Sequence, residues 1–102
     1  MSAYLIIHAK VTDWPTFSQY TQLVPELVRQ FGGEYLVMDS NADLLEKAGF
    51  MALEASELGS IVVSKWPDVD AAKTFWHSAQ YQQAKQLRQG CGEFNVILTN
   101  GL

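Results

Sequence analysis

Four side chains of this sequence have the chemistry of a small-molecule site: His8, Trp66, Tyr81 and Arg88. His8 could act as a general base or a hydrogen-bond donor, because imidazole titrates close to neutral pH. Tyr81 and Arg88 lie two helical turns apart in "SAQYQQAKQLR" and therefore share one helix face. This pair could bind an acidic or phenolic ligand, since a guanidinium makes paired hydrogen bonds to a carboxylate. Trp66 would add an aromatic wall at the end of a strand.

The same residues also have purely structural interpretations. His8 could be a neutral histidine whose hydrogen bonds are satisfied inside the sheet. Trp66 could simply fill the core, as large aromatic side chains usually do. The helical Tyr–Arg pair could be held by Glu93 or Asp39 instead of a ligand. The residues alone leave both interpretations open.

Other catalytic chemistries lack their residues. Two histidines far apart and one cysteine give no metal-ligand spacing. Cys91 has no neighbouring base and lies at a helix end, where the helix dipole disfavours a thiolate. Gly32-Gly33 follows a helix and does not precede one, so it is not a phosphate-binding loop. We expect no metal and no cofactor, and whether the protein is an enzyme stays undecided.

Length and composition narrow the class of protein. The 102 residues predict one domain, residues 1–102, with a core of its own. A net charge of −4 with dispersed lysines and arginines argues against a nucleic-acid partner. No apolar run approaches a membrane span or a signal peptide, so we expect no membrane association. The single cysteine fits a reducing compartment, and we expect a cytoplasmic protein.

The hydrophobic pattern predicts four strands and two helical regions. The strands are expected at Ala3–Val11, Glu34–Asp39, Ser60–Trp66 and Glu93–Asn100. A helix begins after the Asp13 cap and stops at Gly32-Gly33, and a second begins after Asp68 and is capped again at Ser78. The secondary structure of residues 40–58 is the hardest to predict. Asn41 could cap a short helix through Lys47, or the segment could extend the second strand into a hairpin; we favour the irregular, partly helical interpretation.

The order β-α-β-β-α-β is typical of the α+β, ferredoxin-like sandwich. We expect a four-stranded antiparallel sheet with two helices on one face. Strands one and three are placed at its centre, running parallel to each other.

Both faces of this sheet are predicted to be apolar. In strand one, Tyr4 and Ile6 point to one side, and Leu5 and Ile7 to the other. Two helices cover only one face, and the other would expose more apolar surface than a monomer usually tolerates. A second copy of the chain is the natural cover, so we predict a homodimer through the sheet face.

Several stretches carry a family resemblance. "FGGEYLV" and "SAQYQQAKQLR" are the most specific, and "AYLIIHAKVTD" and the last strand agree with them. The sequence resembles the DUF1330 family of dimeric α+β barrel proteins over nearly the whole chain except residues 39–58. The resemblance implies the fold and a dimer. The wider superfamily includes cofactor-independent monooxygenases, haem-degrading monooxygenases and muconolactone isomerases.

Two departures bear on chemistry. Family members often carry an arginine and glycines after strand two, where this chain has Met38, Asp39 and Ser40. The haem-ligating histidine of the haem-degrading relatives aligns with Lys85, whereas Trp66 has a counterpart. A protonated lysine does not ligate haem, so the alignment disfavours haem.

Three functions are consistent with these residues. The first is a binding protein for a small aromatic or acidic metabolite, held between sheet and helices by His8, Trp66, Tyr81 and Arg88. The second is a cofactor-independent monooxygenase or isomerase with His8 as the base. The third is a dimeric interaction or stress domain without catalysis.

Overall fold

The computed structural model of the chain describes residues 1–48 and 59–102. Their elements, in chain order, are β1 (Ala3–Val11), α1 (Trp14–Gln30), β2 (Glu34–Asp39), β3 (Ser60–Trp66), α2 (Val69–His77), α3 (Ala79–Lys85), a 3₁₀ turn (Gln86–Arg88) and β4 (Gly92–Asn100). No helix of the described ranges has the length and apolarity to span a membrane.

The sheet has the order β2-β3-β1-β4, and every neighbouring pair of strands is antiparallel. This confirms the ferredoxin-like, four-stranded antiparallel sheet with β1 and β3 at its centre. The prediction that β1 and β3 run parallel is wrong. The crossover through α1 makes β2 run in the same direction as β1, and β3 then pairs antiparallel with β2. The two central strands must therefore run in opposite directions.

Three side-chain caps set the helix starts where the sequence predicts them. Asp13 Oδ1 accepts from the Thr16 amide at 3.2 Å, and Asp68 Oδ1 accepts from the Ala71 amide at 2.7 Å. Ser78 ends α2 with an extended backbone, and its Oγ accepts from the Tyr81 amide at 3.1 Å to start α3. Each cap satisfies an amide that has no partner within its own helix. The break at Ser78 turns α3 so that Tyr81 enters the core.

Two glycines end α1 and bring the chain against Trp66. Gly32 has a φ of +90°, and its amide donates to the Arg29 carbonyl, whereas Gly33 donates to the Val28 carbonyl. This pattern is a Schellman motif, in which glycine adopts the left-handed conformation without a side-chain clash. A Cβ on Gly33 would lie 2.7 Å from the indole ring of Trp66. The absent side chain is what lets Trp66 pack against this turn.

The segment after β2 departs from the predicted short helix. Residues 42–48 have no regular secondary structure, so the helix from Asn41 through Lys47 is wrong for this part. The Asn41 amide donates to Asp39 Oδ1 at 2.7 Å, which closes a local turn. A seven-residue helix is too short to persist without packing, and Leu45 is fully exposed. The remainder of the 40–58 prediction lies outside the described residues.

Alternate residues of the sheet face the helices and a second, outer face. The helix side holds the main core, formed by Leu5, Val24, Leu27, Val28, Trp66, Ala72, Phe75, Tyr81 and Ala84. The outer sheet face carries Tyr4, Ile6 and His8 of β1, Ile61 and Val63 of β3, Val37 of β2 and Ile97 of β4. Val37 and Ile97 are 41% and 57% exposed, so the apolar centre of this face is uncovered in one chain. Lys65, Asn95 and Thr99 lie on the same face, which is therefore less apolar than predicted.

Side-chain volume on the helix side is distributed unevenly along the central strands. At one end, Ala3 pairs with Trp66, and the buried indole donates from Nε1 to Ser64 Oγ at 2.9 Å. At the other end, Ala9 pairs with Ser60, and both side chains are small. The layer is therefore filled by aromatic rings near Trp66 and left open near Ala9.

The contact of Gly33 with Trp66 predicts the cost of a single methyl group. Gly33→Ala should lower the free energy of unfolding by about 1–3 kcal/mol, because the buried indole has no room to move aside. In a Trp66→Phe background the smaller ring leaves space, so the same substitution should cost much less. Urea unfolding of the double-mutant cycle measures the coupling. Equal costs in both backgrounds would show that the indole is not the obstacle.

Candidate functional site

A cavity of about 310 Å³ lies between α1 and the helix side of the sheet, at the end opposite Trp66. Its lining is mainly apolar and aromatic, with a few hydroxyls and two charged residues, Asp39 and Arg88. The lining residues are Ile7, Ala9, Val11, Trp14, Phe17, Tyr20, Thr21, Val24, Pro25, Tyr35, Met38, Asp39, Ser40, Ser60, Val62, Tyr81, Arg88, Phe94 and Val96. This volume and composition are typical of a site for a small organic molecule.

The cavity follows from small residues in its floor and large ones in its walls. Ala9 and Ser60 form adjacent positions of the floor, where larger side chains would have met α1. On α1, Phe17, Tyr20 and Val24 recur at three- and four-residue spacing and so face the sheet together. Phe17 stacks on Tyr20 and on Phe94 of β4, with ring centres 5.2 and 5.6 Å apart. These stacked rings hold α1 away from the floor.

Two tyrosine hydroxyls meet at the wall of the cavity. Tyr20 Oη and Tyr81 Oη are 2.8 Å apart, and either can donate to the other. Burial, and secondarily the neighbouring Tyr81, raises the pKa of Tyr20 far above its ordinary value. Burial likewise raises the pKa of Tyr35 to about 12. Tyr20 and Tyr35 therefore remain neutral hydrogen-bonding groups at physiological pH and are poor bases.

Arg88 lies beside these tyrosines without an anionic partner among the described residues. Its side chain is 8% exposed, and its Nε is buried without a hydrogen-bond partner. The guanidinium carbon lies 4.3 Å from the ring centre of Phe94 and 5.7 Å from that of Tyr20. The rings stabilise the cation through their faces, but they accept none of its directional hydrogen bonds.

The structure brings two of the four predicted site residues to the cavity. Tyr81 and Arg88 both line it, and the expected structural pairing of Arg88 with Glu93 or Asp39 is not formed. Trp66 is 1% exposed and packs on Phe75 in the filled part of the core, with ring centres 4.8 Å apart. Trp66 does not line the cavity.

His8 lies on the outer sheet face, on the opposite side of β1 from the cavity. Its neighbours Ile7 and Ala9 line the cavity, and the alternation of the strand turns the imidazole away. Across the sheet, His8 pairs with Ile61 of β3 and Asn95 of β4. A role of His8 in ligand binding stays a prediction, and it would have to operate outside this cavity.

The sequence leaves Tyr20 and Tyr35 ambiguous between core and pocket, and in the structure both line the cavity. A tyrosine fits a core and a pocket equally well. For Tyr20, only the three-dimensional contact with Tyr81 separates a core role from a pocket role. One signal was available: Tyr20 follows Phe17 and precedes Val24 on the apolar face of α1. That spacing places its hydroxyl on the sheet side of the helix.

The described residues contain no group of three or more histidine, cysteine or acidic side chains placed to hold a metal ion. Lys85, at the position aligned with a haem ligand, instead lies 4.9 Å from the ring centre of Trp76. That contact is a surface cation–π pair.

Comparisons with known proteins bear on the fold. A family model described as "Domain of unknown function (DUF1330)" matches residues 2–102. A comparison with curated proteins found no match. A protein of unknown function from Rhodopseudomonas palustris has a similar solved structure, with a TM-score of 0.76 and 12% identity over 99% of this chain and 82% of that one.

Two further solved structures are similar across almost all of the chain. A dimeric ferredoxin-like protein of unknown function from Jannaschia sp. CCS1 has a TM-score of 0.70 and 11% identity, covering 99% of this chain and 100% of that one. A mutant of a cofactor-independent oxygenase from Streptomyces nogalater has a TM-score of 0.62 and 13% identity, covering 98% and 92%. At these identities the likeness establishes the fold.

The raised pKa of Tyr35 predicts a loss of stability in alkali. The residue ionises near pH 10 in the unfolded chain but at about 12 in the folded protein. The folded state therefore holds a proton that the unfolded state has lost, and stability present below pH 10 falls as the pH rises towards 12. Tyr35→Phe removes this contribution, so its unfolding free energy should fall less over the same window. Urea unfolding at several pH values checks this, and identical pH dependence in the two proteins would contradict it.

Proposed function

Because the chain belongs to the DUF1330 family, a domain family of unknown function, its own geometry has to suggest its role, and we propose that it binds a small aromatic or acidic metabolite. The ligand occupies the cavity between α1 and the sheet. The observation that carries this proposal is the cavity itself: about 310 Å³, mainly apolar, with Tyr20, Tyr81 and Arg88 converging on one wall. Packed cores rarely leave such a volume empty without a use.

The lining favours a flat, largely apolar ligand. Trp14, Phe17, Tyr20 and Phe94 present ring faces and edges, and aromatic groups pack well against such surfaces. The hydroxyls of Tyr20 and Tyr81 supply the few polar contacts that orient a ligand in an apolar site. A highly polar molecule, such as a sugar, would leave most of its hydrogen bonds unmade here.

We further propose that the protein acts as a homodimer through the outer sheet face. Val37 and Ile97 are exposed on that face, and Leu36 beside them is 51% exposed. An uncovered apolar sheet face of this kind usually marks an interface. A twofold axis would cover it with the same surface of a second copy. The similar solved structure from Jannaschia sp. CCS1 is described as dimeric, which supports this assembly.

A second candidate is cofactor-independent oxygenation or isomerisation of the bound molecule. The similar fold of the Streptomyces nogalater oxygenase supports it. Such chemistry needs a base that takes a proton from the substrate. Tyr20 and Tyr35 stay protonated, and His8 lies on the other face of the sheet. Asp39 is the one carboxylate-bearing residue among the described lining residues, and its pairing with Ile61 turns its side chain towards the outer face. Turnover of a bound phenol under oxygen without added metal would favour this candidate over binding alone.

A third candidate, an interaction or stress domain without a ligand, predicts an unused cavity. A thermal-shift screen of phenols, quinones and short carboxylic acids separates it from the other two, because ligand binding to the folded state alone raises the melting temperature.

Filling the cavity should abolish binding without unfolding the protein. Ser60→Phe places a ring on the cavity floor, where the open volume can hold it. We expect the melting temperature of the free variant to match or exceed that of the wild type, and the ligand-induced shift to disappear. His8→Phe is the matched control, because it places the same ring on the opposite side of the neighbouring strand. The control should keep the ligand shift. Loss of the shift in His8→Phe, with retention in Ser60→Phe, would move the site to the outer face.

Charge on the outer sheet face should break the dimer. Ile97→Lys buries a cation in the proposed interface but leaves it in solvent in a single chain, so the variant should sediment as a folded species of about 11.4 kDa. The wild type should sediment at twice that mass. Leu23→Lys, on the exposed side of α1 and 45% exposed in the native chain, is the control and should remain dimeric. A monomeric wild type at micromolar concentration would overturn the proposed assembly.

A further inference from the structure

We propose that the ligand of this cavity is an amphipathic acid, an apolar body that ends in a carboxylate or similar anion, and that Arg88 determines this specificity. The inference rests on the proposed binding function and deepens it. The proposed function allows an aromatic or an acidic ligand, whereas this inference specifies a ligand that is both apolar along its body and anionic at one end.

The first step is the unsatisfied charge of Arg88. Arg88 is only 8% exposed, and its Nε has no hydrogen-bond partner. Within residues 1–48 and 59–102, no carboxylate forms a salt bridge with it. A buried cation without a counter-ion is costly, and it is usually paired or serves a ligand. Arginine is also the side chain best suited to a carboxylate, because its planar fork can donate two parallel hydrogen bonds.

The second step is the hydroxyl pair at the same wall. Tyr20 and Tyr81 share one hydrogen bond of 2.8 Å, so only one of their two protons is used. The other phenol retains a proton to donate, and the Tyr20 ring lies against the Arg88 guanidinium. The wall therefore offers both a cation and a neutral O–H donor. A carboxylate oxygen accepts from both, whereas an amide oxygen gains less from the cation.

The third step is the distribution of charge across the sheet. Arg88 lies over Phe94 of β4 at one edge of the four-stranded sheet, and Tyr35 and Met38 line the cavity at the β2 edge. Three strand spacings of about 4.8 Å separate those edges. An anion is attracted at the β4 edge, and among the described residues no lysine or arginine lines the cavity at the β2 edge, which gives the acid one orientation. Between the edges, the floor and walls are apolar and take the body of the molecule.

A competing interpretation is that Arg88 is only structural, with Phe94 and Tyr20 as its partners. Cation–π contacts of this kind do stabilise arginine at aromatic surfaces. The two interpretations differ in one measurable respect. A structural arginine gives no preference between a ligand carboxylate and its neutral isostere.

The test uses 2-naphthoate and its uncharged analogue 2-naphthamide, which share one apolar body. Calorimetric titration of the wild-type protein should show naphthoate binding at least about tenfold more tightly, the usual range for a hydrogen-bonded charge. In Arg88→Met, naphthamide should bind nearly as before, and the preference for naphthoate should vanish. Lys85→Met removes a cation outside the cavity and should keep the preference.

The outcomes separate the two proposals. If naphthamide and naphthoate bind the wild type equally, the cavity binds ligands but the acid specificity is wrong. If the preference survives in Arg88→Met, another group binds the acid and the assignment of Arg88 is wrong. If neither compound binds, the proposed function itself is contradicted, and this inference with it.

A second measurement needs no substitution in Arg88. The chain has two arginines, and Arg29 is exposed and paired with Glu26. The Nε–H region of a nitrogen–proton correlation spectrum should therefore contain two arginine signals, which Arg29→Lys assigns. Naphthoate, but not naphthamide, should shift the Arg88 signal strongly and leave Arg29 unchanged. An unmoved Arg88 signal at saturating naphthoate would overturn the inference even if Arg88→Met failed to fold.

Discussion

The distribution of side-chain volume between the sheet and its helices governs the rest of this structure. At one end, Trp66 fills the layer, because Gly33 and Ala3 leave it room. At the other end, Ala9 and Ser60 are adjacent and small, while the stacked rings of Phe17 and Phe94 hold α1 above them. The filled end supplies the hydrophobic stabilisation that the fold needs. The open end is free to bind.

The polar chemistry depends on this division. Ser78 breaks the second helical region, and α3 then carries Tyr81 to Tyr20 of α1. The 3₁₀ turn that follows brings Arg88 over Phe94. All three residues line the open part of the layer, and they supply its polar groups. In the filled end, a donor or acceptor without a hydrogen-bond partner would have lowered the stability of the folded state. The acid-binding proposal is thus a consequence of where the core is incomplete.

Local signals in the sequence predicted much of the fold. The caps at Asp13, Asp68 and Ser78 and the stop at Gly32 are short-range devices, and the structure places all of them as expected. The direction of β3 was mistaken because it follows from two connections taken together. The helix proposed after Asn41 is not formed in residues 42–48, where Leu45 is exposed and contributes no packing that would stabilise so short a helix.

The site was only partly predictable, for a different reason. Helical spacing is enough to place Tyr81 and Arg88 on one helix face. Which face of a strand lines a cavity depends on how the helices pack on the sheet, and the sequence of the strand does not show this. The same alternation places Ile7 at the cavity and His8 on the outer face. Tyr20 gained its role from a residue 61 positions away. No local pattern records such a contact.

A crystal structure of the protein with 2-naphthoate tests the central claim most directly. The account predicts electron density for the naphthalene ring between α1 and the floor formed by Ala9 and Ser60. The carboxylate should lie within hydrogen-bonding distance of Arg88 and of a hydroxyl of the Tyr20–Tyr81 pair. An empty cavity, or naphthoate bound on the outer sheet face beside His8, would contradict it.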